Sequence, residues 1–165
     1  MIDIAEAIAR PDAQPETTYM ALERLVDETI GVKLFTIMEI DHDRNVAWRS
    51  YTNMPEAYPA LGEKPRMQNK WSDIVEVQHK TFVANTIEEI AEVFPDYELI
   101  QSLGCESCLN LPIFINGEIR GTLNCLHEAG HFTPERVAAA ETLKTAGALA
   151  FLLAESIRDQ GENNG

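Results

Sequence analysis

Apolar residues recur every three or four positions between Pro15 and Gly31, at Tyr19, Leu22, Leu25, Val26 and Ile30. This spacing predicts an amphipathic helix with one buried face. Pro15 suits its first turn and Gly31 its C-terminal end. Ile2, Ile4 and Ile8 predict a smaller helix before Pro11. From Lys33 to Asp41 and from Val46 to Asn53 the composition changes to β-branched and aromatic residues around the turn cluster Asp41-His42-Asp43-Arg44-Asn45. That is the pattern of a first hairpin. Met54 to Asn69 holds Pro55, Pro59, Gly62 and Pro65, which rules out a regular element through most of it. A loop of that length inside a compact domain is usually functional or mobile. Trp71 to Lys80 reads as a helix capped by Ser72, and Thr81 to Asn85 as a short strand. An acidic helix follows from Ile87, with Thr86 as its cap and Glu89 completing a capping box. Pro95 interrupts it, and a second piece runs from Asp96 to Leu103, ended by Gly104.

Two apolar runs, about 106–115 and 118–127, flank Asn116-Gly117, the dipeptide suited to a two-residue type I′ turn. Counting outward from that turn sets Ile115 opposite Glu118, Pro112 opposite Gly121, Asn110 opposite Leu123 and Cys108 opposite Cys125. Thr133 caps a last helix with Pro134 at its first position, and Phe132 can pack on Val137 as a hydrophobic staple. This alanine-rich helix runs to about Arg158. The expected organisation is an N-terminal extension over 1–14, one domain over 15–158 and a disordered tail over 159–165. The order of elements makes the fold α+β, a mostly antiparallel sheet flanked by two terminal helices.

A length of 165 residues fits a single domain. The net charge of −14 opposes nucleic acid and anionic membrane surfaces, whose recognition needs cationic contacts. MIDIAEAIAR has no basic segment before an apolar stretch and is not a secretory signal, and no run approaches the ~18 apolar residues of a membrane span. A cytoplasmic location is expected. Three cysteines, an odd number, argue against a disulfide framework in that compartment.

Three segments carry a resemblance to the GAF domain. They are Asn110-Leu111-Pro112 with Asn116-Gly117 and Gly121-Thr122-Leu123-Asn124, then Phe132-Thr133-Pro134-Glu135, then Leu103-Gly104. The series Tyr51-x-Asn53-x-Pro55-x-x-Tyr58-Pro59-x-x-Gly62-x-Lys64-Pro65, followed by Trp71, is similar to that of short, stand-alone bacterial GAF proteins. The resemblance implies one sheet with the N- and C-terminal helices on one face. On the other face, a loop and short helices would cover a ligand cavity. It also implies a sensory, small-molecule-binding role in signalling, with homodimers formed through the terminal helices and output through a protein partner. The PAS fold, with its different strand and helix order, is the nearest competitor. Fold alone does not name the ligand, and the cofactor is unknown.

The candidate ligand-binding residues are Arg49, Tyr51, Tyr58, Lys64 and Trp71 from the middle passage, and Cys108, Asn110, Asn124, Cys125 and His127 from the second hairpin. Aromatic walls with a few polar anchors are the usual small-molecule site, and nearby cations would suit an anionic ligand. Asparagine is disfavoured in strands, and a buried amide needs partners. By the register above, Asn110 and Asn124 occupy opposite faces. Cys105, Cys108, Cys125, His127 and His131 are conceivable zinc ligands, but strand alternation separates Cys105 from Cys108. Free methionine sulfoxide reductases are GAF proteins with reactive thiols upstream of the hairpin. Here no cysteine lies between Thr52 and Gly104, although a facing Cys108–Cys125 pair would be within oxidation reach. A dimeric scaffold without ligand is the third reading. No catalytic triad, phosphate loop or paired carboxylates are present in the pattern.

Overall fold

The structure is a computed structural model that describes residues 3–165. Ile2, one of the residues expected in the first helix, lies outside the described residues. Helix α1 (Ile4–Ala9) is capped by Asp3, whose side chain accepts the Glu6 N–H. Helix α2 (Glu16–Ile30) buries Tyr19, Leu22, Val26 and Ile30, four of the five apolar positions that the spacing picked out. Strands β1 (Leu34–Asp41) and β2 (Val46–Thr52) form the first hairpin.

The long middle passage contains a strand that its prolines concealed. β3 (Leu61–Pro65) pairs antiparallel with β2 at the sheet edge, every residue exposed. Proline is compatible with an edge strand, where its missing N–H faces no partner. The expected helix over Trp71–Lys80 is also different in kind. Helix α3 (Lys70–Ser72) is one turn long and passes into a π-helical turn over Asp73–Val77. Its cap is Asn69 rather than Ser72: Asn69 accepts the Ser72 N–H at 3.0 Å, and Ser72 Oγ accepts the Asn69 N–H at 2.8 Å. Strand β4 (Phe82–Ala84) and helices α4 (Ile87–Ala91) and α5 (Tyr97–Ser102) follow, with Thr86 capping α4 as expected.

Strands β5 (Ser107–Ile115) and β6 (Glu118–His127) complete an antiparallel sheet of order β3-β2-β1-β6-β5-β4. The turn pairs Ile115 with Glu118, but beyond it the expected register fails by one residue. Phe114 pairs with Ile119 and Ile113 with Gly121, leaving Arg120 as a bulge. Asn110 therefore faces Asn124 rather than Leu123, and Cys108 faces Leu126 rather than Cys125. A bulge adds one residue to one strand and so reverses the face of everything beyond it. Arg120 uses the displacement to reach Glu155 at 2.6 Å on the last helix.

Helix α6 (Pro134–Ala140), a 3-10 turn at Glu141–Leu143 and helix α7 (Lys144–Asn163) close the chain. The expected disordered tail is helical through Asn163. Its anchor is Arg158, bound at 2.6 Å to Glu39, a strand carboxylate only 3% exposed that also accepts the Tyr19 hydroxyl. The run Pro134–Asn163 is long and apolar enough in composition to cross a membrane, which the sequence had not suggested. Its apolar side is core: Ala140, Leu143, Ala146, Ala150, Phe151 and Ala154 pack with α2 and with Phe35, Ile37, Leu111 and Leu123 of the sheet. The terminal helices thus share one face. The other face carries a second core of Leu34, Phe82, Ala84, Cys108 and Leu126 beneath Tyr58, Val75, Ile90 and Ile100.

Candidate functional site

The corrected register determines which side chains meet. Across β5, β6 and β1, Asn110 lies opposite Asn124 and Asn124 opposite Thr36, so all three share the face away from the terminal helices. They form a continuous ladder. Trp71 Nε1–H donates to Asn110 Oδ1 at 2.9 Å, and Asn110 Nδ2 donates to Asn124 Oδ1 at 2.8 Å. Asn124 Nδ2 then donates to Thr36 Oγ1 at 3.1 Å, while Thr122 Oγ1 donates to Asn124 Oδ1 at 2.8 Å. Asn110, Thr36 and Thr122 are buried at 3%, 2% and 0% exposure, so this is polar chemistry set inside a core. Cys108 Sγ lies 3.8 Å from Asn110 Oδ1 and contributes a weak S–H contact.

The indole N–H only donates, which fixes the orientation of both amides in turn. Every donor in the chain Trp71–Asn110–Asn124–Thr36 points from the lid into the sheet. The lid, the covering passage over residues 54–77, is held by several side-chain contacts. Tyr58 is buried and its hydroxyl donates to Asp96 at 2.6 Å; burial first, then that bond, raises its pKa. The Arg49 guanidinium stacks on the Tyr58 ring at 3.8 Å and donates to Pro59 O at 2.7 Å. Lys70 pairs with Glu92 across a cleft of about 310 Å³ also lined by Ile74, Phe82 and Glu89. On the lid's other side, Arg66 binds Glu76 at 2.7 Å and His42 Nδ1 at 3.1 Å beside a cleft of about 270 Å³.

Of the ten expected site residues, Arg49, Tyr58, Trp71, Cys108, Asn110 and Asn124 belong to this face or its cover. Four do not. Tyr51 packs in the helix-side core against Tyr19 and Phe35 and bonds Glu23. Cys125 lies in the same core. Lys64 sits exposed on the edge strand. His127 ends β6 and stacks on His131, ring centroids 3.6 Å apart and planes 6° off parallel. The bulge accounts for Cys125, because a one-residue shift moved it to the far face. Thr36 and Thr122 were missed. The signal was Thr122-x-Asn124, two polar residues on one face of an otherwise apolar strand.

The thiols are in poor surroundings for nucleophilic chemistry. Burial pushes the Cys108 thiol up to about 12, and burial pushes that of Cys125 up as well. All three cysteines are free, and Cys108 and Cys125 lie on opposite sides of the sheet. Among the described residues, no group of three His, Cys, Asp or Glu side chains is placed to hold a metal ion.

His127 gives a pH prediction. Burial first, then the neighbouring His131, Lys33 and Arg136, lowers its pKa, and its Nδ1 accepts the Glu128 N–H at 2.9 Å. The unfolded chain, with an ordinary histidine near pH ~6.5, binds that proton more readily than the folded chain does. Stability is therefore complete above that pH and declines as pH falls below it. Melting temperatures from pH 7.5 to 5 should fall in the wild type and fall less steeply in His127→Gln. Parallel slopes for the two proteins would show that His127 is not responsible.

Residues 15–151 match the family model described as GAF domain. No curated protein matches the chain in sequence. Among solved structures, the GAF domain of a two-component sensor histidine kinase from Bacillus halodurans is similar, with a TM-score of 0.69 at 14% identity over 90% of this chain and 98% of that one. The GAF domain from Acinetobacter phosphoenolpyruvate-protein phosphotransferase has a TM-score of 0.69 at 12% identity, covering 94% and 92%. Free methionine-R-sulfoxide reductase from Neisseria meningitidis, solved in complex with its substrate, has a TM-score of 0.64 at 15% identity, covering 93% and 87%. At these identities the likeness speaks to fold. With a family model spanning most of its length, the chain belongs to the GAF domain family.

Proposed function

We propose that this protein is a cytoplasmic sensory or regulatory domain that binds a small molecule between the sheet and its lid and acts as a homodimer through its terminal helices. The observation that carries the binding reading is the amide ladder. Polar side chains buried on a sheet face cost stability unless they are hydrogen-bonded. These are bonded to one another and, through Asn110, to a half-buried indole in a short, irregular cover, where a ligand could replace it. The expectation of an anionic ligand finds little support, since Arg49, Arg66 and Lys70 already engage Pro59, Glu76 and Glu92. For the dimer, α7 presents Thr145, Leu149, Leu152 and Ser156 at helical spacing on its outer side, and Met20 of α2 is likewise exposed. Leu149, Leu152 and Met20 are exposed apolar side chains, and the small Thr145 and Ser156 beside them leave room for a second copy to approach.

The thiol-reductase reading draws on the structural likeness to the Neisseria enzyme, but the raised Cys108 pKa and the separation of Cys108 from Cys125 weigh against it. Native mass spectrometry of freshly purified protein, with thermal shift against a metabolite panel, tests the proposal. A dimer mass, with a retained adduct or a ligand-dependent rise in melting temperature, is expected. A bare monomer without any shift would sink it. Turnover of free methionine sulfoxide that is lost in Cys108→Ser would establish the enzyme instead.

A further inference from the structure

We infer that Trp71 is a displaceable side chain occupying the ligand's own position, and that the site takes a flat aromatic heterocycle bearing an N–H donor. This rests on the binding reading above and specifies its ligand class. The Trp71 indole is half-buried, while the group it satisfies, Asn110, is 3% exposed. If the indole leaves, Asn110 Oδ1 keeps only the distant Cys108 thiol at 3.8 Å. A buried acceptor without a donor is costly, so whatever replaces the indole must donate there. Thr36 and Thr122 hold Asn124 in place from behind, and both amides would have to turn over before the ladder could offer a donor to the lid instead.

The cover at Trp71 is short and irregular, although Arg66–Glu76 and the buried Val75 anchor the residues around it. It is one helical turn followed by a π-helical turn, a geometry that recurs at functional sites. The Lys70–Glu92 pair across the neighbouring cleft has both side chains more than half exposed, at 62% and 56%, and such pairs hold weakly. The lining of that cleft stops short of Trp71 and Asn110, but two of its apolar residues are their neighbours. Ile74 comes from the π-helical turn, and Phe82 is the residue directly across the strand pair from Asn110. Glu89 and Glu92 line it as well and disfavour an anion.

Indole and 1-methylindole have nearly the same shape and differ at the N–H, so they are the probes. In the full chain carrying Trp71→Ala, indole should raise the melting temperature and bind roughly tenfold more tightly than 1-methylindole. Adding Asn110→Leu should abolish that preference. In the wild type, titration with indole should move the Trp71 Nε1–H resonance saturably, with Trp48→Phe assigning the two indole signals. Equal binding of the two probes, no binding of indole, or a Trp71 resonance unmoved up to the solubility limit of indole would each overturn the inference. A metabolite lacking an N–H that stabilises the wild type, alongside equal binding of the two probes, would leave the binding proposal standing and remove only this one.

Discussion

Gly121→Ala should destabilise the protein by about 3 kcal/mol or more, or prevent folding altogether. A Cβ at this position would lie 2.0 Å from the Met38 carbonyl oxygen and 2.8 Å from the Phe151 ring. Phe151 is 1% exposed and could yield only by disturbing α7, whereas the Met38 carbonyl belongs to β1, which is paired on both sides. Backbone flanked by two strands has nowhere to go. For a domain whose total stability is on the order of 5–15 kcal/mol, the loss is a large fraction. Gly117→Ala is the reference: its φ of +80° strains alanine, but nothing lies within 4 Å, so about 1 kcal/mol is expected. Denaturant titration of both variants makes the comparison. Adding Phe151→Leu to Gly121→Ala should recover little, because the carbonyl contact remains. A full recovery would place the obstruction in the ring.

Asn124→Leu should cost about 3 kcal/mol, with a loss well beyond that of an ordinary surface substitution. One amide serves three neighbours: it accepts from Asn110 and Thr122 and donates to Thr36. Leucine removes the acceptor for Asn110 Nδ2 and leaves two buried hydroxyls to find other partners. Asn110→Leu orphans the Trp71 N–H instead, and the indole can turn toward solvent, so its cost should be smaller. Because the two amides bond each other, the double variant should lose clearly less than the two single losses combined. Additive losses, measured by equilibrium unfolding, would mean that the ladder is not a coupled unit.

The Asn124 result also bears on how much of the site could be read in advance. Helices α2 and α6, the first hairpin and the Asn116-Gly117 turn follow from local rules, and each lies where periodicity, caps and turn chemistry put it. Asn110 and Asn124 stood out because an amide in a strand needs a reason. Their partnership did not, since it depends on Arg120 bulging out of the ladder. Gly121 within the strand is a local hint of a bulge or a close approach, but it does not say which of the two or which residue is left out of the ladder. The bulge is set by Arg120 reaching Glu155 and by the close approach of Gly121 to Met38 and Phe151, contacts that involve distant parts of the chain.

The middle passage divides in the same way. Its prolines made it irregular, and its aromatic and basic residues marked it as a candidate cover. Whether Trp71 or Tyr51 would meet the ladder was settled by packing: Tyr51 falls on the β2 side that faces α2, and Trp71 is delivered by the single-turn helix α3, capped by Asn69. The amino-acid sequence by itself determined the family, the α+β class and the two asparagines, because these rest on short-range spacing and turn chemistry. Tertiary structure alone decided the face each residue occupies, the direction of the hydrogen-bond ladder and the side chain that covers it. A single extra residue in a strand reverses every side chain beyond it, and only contacts made across the whole domain say where that residue is.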